Sequence, residues 1–276
     1  MNKTILYLVP ILLVSSVLAC QKPTSVTIPH SDLILSLKRS SGSPYSCTID
    51  QTSRFVVSLE GEIGQTDRIS KYIYESEESS CELSESSSPR FPTLISFSIL
   101  KDGLDHTVQK TMTDVEPSWE CELWEHGDYP LGVAGFFPQG GWDLFLQAQA
   151  LLEVFGPTKM EVSGSIVEMS WSSIPNERIV DMGSPAGVLG RDDSALEEVR
   201  FAMDFERGLP VSVGFYYRDG ESVSSTFEGF VFLEGSYSSA AEKLEAELEV
   251  PESFSCTCDY SDPFRIVQLR EGAVRK

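Results

Sequence analysis

LEEVRFAMDFERGLPVSVGFYYRDGESVSSTFEGFVFL, residues 196–233, decides the fold. Val199, Phe201, Met203 and Phe205 alternate with Arg200, Ala202 and Asp204, a period of two that sets one apolar row on one face of a β-sheet. Glu206, Arg207 and Gly208 turn the chain, and Leu209, Val211, Val213, Phe215 and Tyr217 make a second row. Asp219-Gly220 is the strongest short hairpin signal, after which Val223, Phe227, Val231 and Leu233 continue the pattern. The stretch reads as three antiparallel strands with one aromatic face that needs cover.

A helix over residues 142–155 supplies a matching surface. Leu144, Phe145, Ala148, Leu151, Leu152 and Phe155 recur at helical spacing on one side, with Asp143, Gln147 and Glu153 outside the stripe. Gly156 and Pro157 stop it. The connection before it, 128–141, is apolar but full of Gly and Pro, and its Leu131, Val133, Phe136 and Phe137 read as a loop laid over something greasy.

The rest of the chain supplies more strands. Ser31 offers an N-cap to a short helix carrying Leu33, Ile34 and Leu37. Strand-like runs follow at 46–50, 54–63, 68–75, 93–100 and 106–113, with others near 119–124, 159–162, 165–172 and 264–269. The stretch 75–89, ESEESSCELSESSSP, is almost without large apolar side chains and reads as an exposed loop. Ser239 and Glu242 read as a capping box for a helix through Leu248 whose apolar side is Ala241, Leu244 and Leu248. With roughly nine to eleven strands, three helices, no internal repeat and no long linker, the expectation is one α+β domain with an antiparallel sheet.

The first twenty residues, MNKTILYLVPILLVSSVLAC, are an address. The apolar run is too short for a transmembrane helix. Val17-Leu18-Ala19-Cys20 resembles the lipobox of bacterial lipoproteins, which implies a signal peptide over 1–19, an acylated Cys20 and a tether over 20–30, ahead of a single domain over 31–276. The alternative is an ordinary secretory signal cut near Ala19. A second acyl chain makes such anchorage lasting. Gln21, in place of an aspartate, implies the outer membrane, facing the periplasm.

The formal net charge of −21 excludes nucleic acid and a polybasic grip on lipid headgroups, since both need Lys and Arg against phosphate. Export makes disulfides the default for Cys47, Cys81, Cys121, Cys256 and Cys258. An odd count leaves one over. One pairing joins Cys81 to Cys121 and Cys47 to Cys256 or Cys258. Cys256-Thr257-Cys258 also has the look of a soft-metal pair, but no further ligands stand at useful spacing, so no metal and no cofactor is expected.

With these elements in order, Asp204-Phe205-Glu206-Arg207-Gly208-Leu209-Pro210-Val211, Arg218-Asp219-Gly220-Glu221 and Phe227 resemble the LolA-like and LprG/LppX-like envelope proteins. The resemblance implies a strongly curved antiparallel sheet, a half-barrel, covered by a few helices. It implies acyl chains or lipidated cargo held between sheet and helices. The lining would be Phe145, Leu151, Leu152, Phe155, Phe201, Met203, Phe215 and Phe227. The cysteines, the 75–89 stretch and the tail after Leu233 depart from that pattern.

The same residues also fit a closed core on a tethered protein that binds an envelope partner. Catalysis has no footing. His30, His106 and His126 are the only histidines, there is no GxSxG or HExxH, and His126 beside Asp128 sits in a turn-like segment.

Overall fold

In a computed structural model, which describes residues 28–56, 63–76, 78–101, 104–113, 116–125, 143–154, 159–172, 196–234, 237–252 and 254, the chain begins with α1 (His30–Lys38). A first meander follows: β1 (Tyr45–Val56), β2 (Ile63–Ser76), β3 (Ser79–Ser88), β4 (Phe91–Lys101), β5 (Leu104–Thr111) and β6 (Ser118–Glu125). After α2 (Leu144–Val154) comes the second: β7 (Lys159–Ser163), β8 (Ile166–Ser172), β9 (Leu196–Asp204), β10 (Leu209–Tyr217) and β11 (Ser222–Phe232). The last described helix is α3 (Tyr237–Ala246). No helix among the described residues is long and apolar enough to cross a membrane.

All eleven strands form one antiparallel sheet in the order β6-β5-β4-β3-β2-β1-β11-β10-β9-β8-β7. The two meanders meet where β1 pairs with β11, Ile49 opposite Phe227 and Gln51 opposite Ser225. Strands consecutive in the chain are neighbours except β6 and β7, which form the two edges of the sheet; in an alternating order of eleven these edges run parallel, so they do not close an up-and-down barrel. The chain instead runs from β6 through α2 to β7, and the sheet stays open. Neighbouring strands differ in direction by roughly 20–25°, which across eleven accumulates on the order of 200° and wraps the sheet into a half-barrel.

The hairpins form where the turn chemistry directs. Gly208 (φ +65°) and Gly220 (φ +86°) take the left-handed conformation at the β9–β10 and β10–β11 turns. Gly208 also lies so close to α1 that a Cβ would stand 2.3 Å from the Ser36 carbonyl oxygen.

The helices cover opposite faces of the sheet at its two ends. In β2, Tyr72 and Tyr74 join one buried cluster while Ile73 between them joins the other, and successive strand residues point to opposite faces. α1 and α2 lie over β8–β11, β1 and the two tyrosines. On the other face α3 places Tyr237, Ala241 and Leu244, with Leu248 beyond it, against Ile73, Cys81, Phe97, Val108 and Trp119. Lys71 of β2 forms an ion pair with Glu247 just after α3. The covering helices are therefore split between two faces.

Three local expectations are corrected. Residues 79–88 form β3, an interior strand between β2 and β4, because Ser80, Glu82 and Ser84 face inward and are small enough, or paired well enough, to be buried. α1 starts at His30 with Pro29 before it and no side-chain cap, and Ser31 lies within the first turn. Ser239 likewise is the third residue of α3 rather than its N-cap, although Ala241, Leu244 and Leu248 form the buried side.

Candidate functional site

The α1–α2 cover is held by a few polar ties and a large apolar contact. Asp143, itself buried, accepts a hydrogen bond from the Phe145 amide at 2.9 Å, as an N-capping carboxylate does. Its second oxygen accepts from the Gly42 amide at 2.9 Å, which binds the turn after α1 to the start of α2. The Tyr45 hydroxyl of β1 accepts from the Leu144 amide at 2.9 Å. Ser36 of α1 donates to the Phe205 carbonyl at the β9–β10 turn. Burial holds the Tyr45 hydroxyl well above its usual pKa, reinforced by Tyr72, Cys47 and Asp143, so it stays a neutral hydrogen-bonding group.

Around these ties the surface is aromatic. The Tyr45 ring stacks on Tyr74 at 5.3 Å and meets Phe145 edge-on at 5.1 Å, and Phe145 also touches Phe230 at 5.6 Å. Phe145, Leu151, Leu152, Phe201, Met203, Phe215 and Phe227, seven of the eight residues expected to line a cavity, are gathered into this one cluster. Each is 0–5% exposed. They lie against one another between α2 and the sheet as parts of a single apolar cluster. Phe155 lies outside the described residues, as do Cys20, Cys256, Cys258, His126 and the connection 128–141.

Sequence reasoning missed the groups that fix this cover. Asp143 reads as the polar side of a helix, Tyr45 as one more strand residue, and Gly208 as a turn glycine. Only an aspartate directly before an apolar helical stripe carries a recognisable capping signal.

The cysteine pairing differs from expectation. Cys47 and Cys81 are free, buried thiols. Cys81 lies on β3 and Cys121 on β6, with β4 and β5 between, and Cys121 pairs with Val108 rather than with the residue in the Cys81 row. Three inter-strand steps of about 4.8 Å place them roughly 14 Å apart, beyond the ~7 Å that a disulfide spans. Cys47, on the α1–α2 side, is not joined to Cys256 or Cys258, both of which lie outside the described residues. Cys121 is disulfide-bonded. Its partner lies outside the described residues. Burial pushes the Cys81 thiol up to about 11, with the Tyr237 hydrogen bond opposing, and it pushes Cys47 up further with Glu82 adding.

A groove of about 620 Å³ opens on the face of β7–β11 that no described helix covers. Lys159, Glu161, Glu168, Arg200, Tyr216 and Thr226 are among its walls. Its charges are largely paired with one another: Lys159 with Glu161, and Arg200 with Glu198 at 2.7 Å. Arg200 also lies over the Tyr216 ring at 4.7 Å, and that ring in turn covers Gly214, where a Cβ would meet it at 2.8 Å. Among the described residues this is a polar surface whose two cations, Lys159 and Arg200, are paired and whose Tyr216 ring is covered.

No family model matches the chain, and no curated protein matches it. Among solved structures it is similar to a LolA superfamily protein from Nitrosomonas europaea, at 7% identity and a TM-score of 0.27, over 76% of this chain and 96% of that one. It is similar to a putative outer membrane lipoprotein-sorting protein domain from Vibrio parahaemolyticus, at 11% identity and a TM-score of 0.30, over 78% and 96%. A DUF1329 family protein from Desulfovibrio piger follows at 10% identity and 0.29, over 77% and 95%. The likeness is one of fold alone. At these TM-scores it carries no conclusion about ligand or partner, and the functional reading rests on this chain's own residues.

Proposed function

We propose that this chain is a non-catalytic envelope protein, anchored through an acylated Cys20, that takes an acyl chain or lipidated cargo beneath the α1–α2 cover. One observation carries the reading: the aliphatic and aromatic side chains of two helices lie on one face of an open sheet as a single apolar cluster. A ligand of the same chemistry exchanges with α2 side chains at little cost in hydrophobic burial, each large side chain being worth about 1.5–3 kcal/mol. The segment 21–29 spans at most roughly 30 Å when extended, so α1 stays near the bilayer that holds Cys20. Leu35 of α1 and Leu146 of α2 are exposed on the outer sides of the same two helices and turn apolar surface outward there.

A second reading is favoured by the close packing of that cluster. With Phe145, Leu152 and Met203 fully buried, the chain also fits a tethered binding protein with a permanently closed core, which meets a protein partner through its polar surfaces. Extraction separates the two. Residues 21–276, exported to an oxidising periplasm, purified without detergent and extracted with organic solvent, are expected to yield a stoichiometric lipid by mass spectrometry. A lipid-free protein that also fails to bind a fluorescent fatty acid leaves the closed-core reading.

A further inference from the structure

On the α1–α2 face the chemistry of the sheet changes sharply at Gln51 of β1 and Arg68 of β2. One lateral row runs Met169, Phe201, Val213, Ser225, Gln51, Arg68 and Ser86 across seven strands. The first half of that row lies under the helices. Beyond it, from β2 to β6, the same face is mostly polar, with Leu94 and Leu100 of β4 among its apolar members: Ser70, Ser84, Ser96, Gln109 and Glu120 form one row, and Glu82, Ser98 and Thr107 stand in the next. No described helix covers this half, because α3 lies on the other face.

The centre of this floor is buried and its rim half-exposed. Ser70, Glu82, Ser84 and Thr107 are buried, whereas Arg68, Ser96, Ser98, Gln109 and Glu120 are partly open. Several groups are satisfied locally. Ser84 and Ser96 share a hydrogen bond at 2.9 Å, as do Ser98 and Thr107 at 2.8 Å, and Arg68 donates to Glu82 at 2.8 Å. Two adjacent groups are not. Among the described residues, Gln51 Oε1 and Arg68 Nε have no hydrogen-bond partner, although Gln51 is only 5% exposed and sits directly across from Arg68. Leaving a buried donor and acceptor unmet costs stability, so a fold that keeps them side by side points to a molecule that meets both.

We infer that this polar floor, centred on Gln51, Arg68 and Glu82, is a binding site for a neutral polyhydroxylated ligand of the saccharide class. A hydroxyl both donates and accepts, so one sugar hydroxyl donates to Gln51 Oε1 while a neighbouring oxygen accepts from Arg68 Nε. The surrounding serine and threonine hydroxyls offer either role. An anion is disfavoured, because Arg68, the one cation among the described residues of the floor, already faces Glu82, and Glu120 adds a second carboxylate. An acyl chain is disfavoured by the buried hydroxyls themselves. The site does not depend on the lipid reading, since its side chains lie outside the apolar cluster under α1 and α2.

The test is ligand-observed NMR titration of residues 21–276 with maltotriose and with chitotriose, and with inorganic phosphate for comparison. At least one trisaccharide is expected to bind, and Gln51→Leu and Glu82→Gln are each expected to weaken it roughly tenfold, the loss of one or two directed hydrogen bonds. Gln51→Leu removes the unmet buried oxygen together with the Nε2 donation to Ser53 at 3.2 Å, and leaves an apolar side chain in their place, so the melting temperature of the free protein should not fall below the parent's. An unchanged or higher melting temperature separates loss of a ligand contact from loss of the fold. The inference is overturned if neither sugar binds at concentrations up to about 10 mM, if phosphate alone binds, or if a folded Gln51→Leu protein binds sugar as well as the parent.

Discussion

Gly208 joins two constraints at one residue: a φ of +65° at the β9–β10 turn and contact with the α1 backbone at Ser36. Only a residue without a side chain meets both, and the neighbouring Phe205 carbonyl then receives the Ser36 hydroxyl. Gly208→Ala is expected to destabilise the protein by at least about 2 kcal/mol in urea denaturation, combining backbone strain with displacement of α1. An alanine variant as stable as the parent would mean that α1 does not sit on this turn. His106 offers a test by pH. Burial under α3 holds its imidazole below the usual pKa, with Glu245 acting in the opposite sense. The folded protein therefore prefers the neutral ring, and the unfolded chain takes up the proton first, near pH 6.5. Stability should be level above that pH, decline as the pH falls from about 6.5 toward the folded pKa, and level again below it. Thermal melts at pH 7.5 and 5.5 should show this decline reduced in His106→Gln; an unchanged slope would assign it to other groups.

At the level of elements, α3 tests whether the second face has an independent cover. Its attachment is apolar: Leu244 is buried against the sheet, whereas the Lys71–Glu247 pair is about half exposed on both sides. Leu244→Ala should cost about 2–5 kcal/mol and Lys71→Ala only about 0–1 kcal/mol, the ordering expected when packing rather than surface charge holds a helix. The reverse ordering would refute this account of α3. The same elements show what could be read beforehand. β9, β10 and β11 were legible because large apolar residues alternate with polar ones, and α2 because Leu144, Phe145, Ala148, Leu151 and Leu152 keep helical spacing. β3 was not legible, since its inward residues are Ser80, Glu82 and Ser84, whose burial depends on partners in β2 and β4 rather than on their own hydrophobicity. The facing of Phe145, Leu151 and Leu152 of α2 toward Phe201, Met203, Phe215 and Phe227 of the sheet was legible as a pattern. Whether they enclose space or fill it depends on the helix-to-sheet distance, which no periodicity encodes. Nor does periodicity say which face of the sheet a helix chooses, so the placement of α3 opposite α1 and α2 emerged only with the structure.

Over the whole molecule, one open sheet carries two covers on two faces, diagonally opposed. The α1–α2 cover lies over β8–β11 and β1, and α3 lies over β2–β6 on the reverse side. Each half of the sheet is thus left with one polar face: the groove beside Arg200 and Tyr216 at one end, and the floor around Gln51 and Glu82 at the other. A ligand entering the apolar cluster must displace α1 and α2 and has no need to disturb α3. Hydrogen exchange followed by mass spectrometry, on residues 21–276 with and without palmitate, tests this claim most directly. The account predicts altered exchange in α1, α2 and β9–β11, with α3 and β3–β5 unchanged. Unaltered exchange throughout at saturating palmitate, or an equal change in α3, would contradict it.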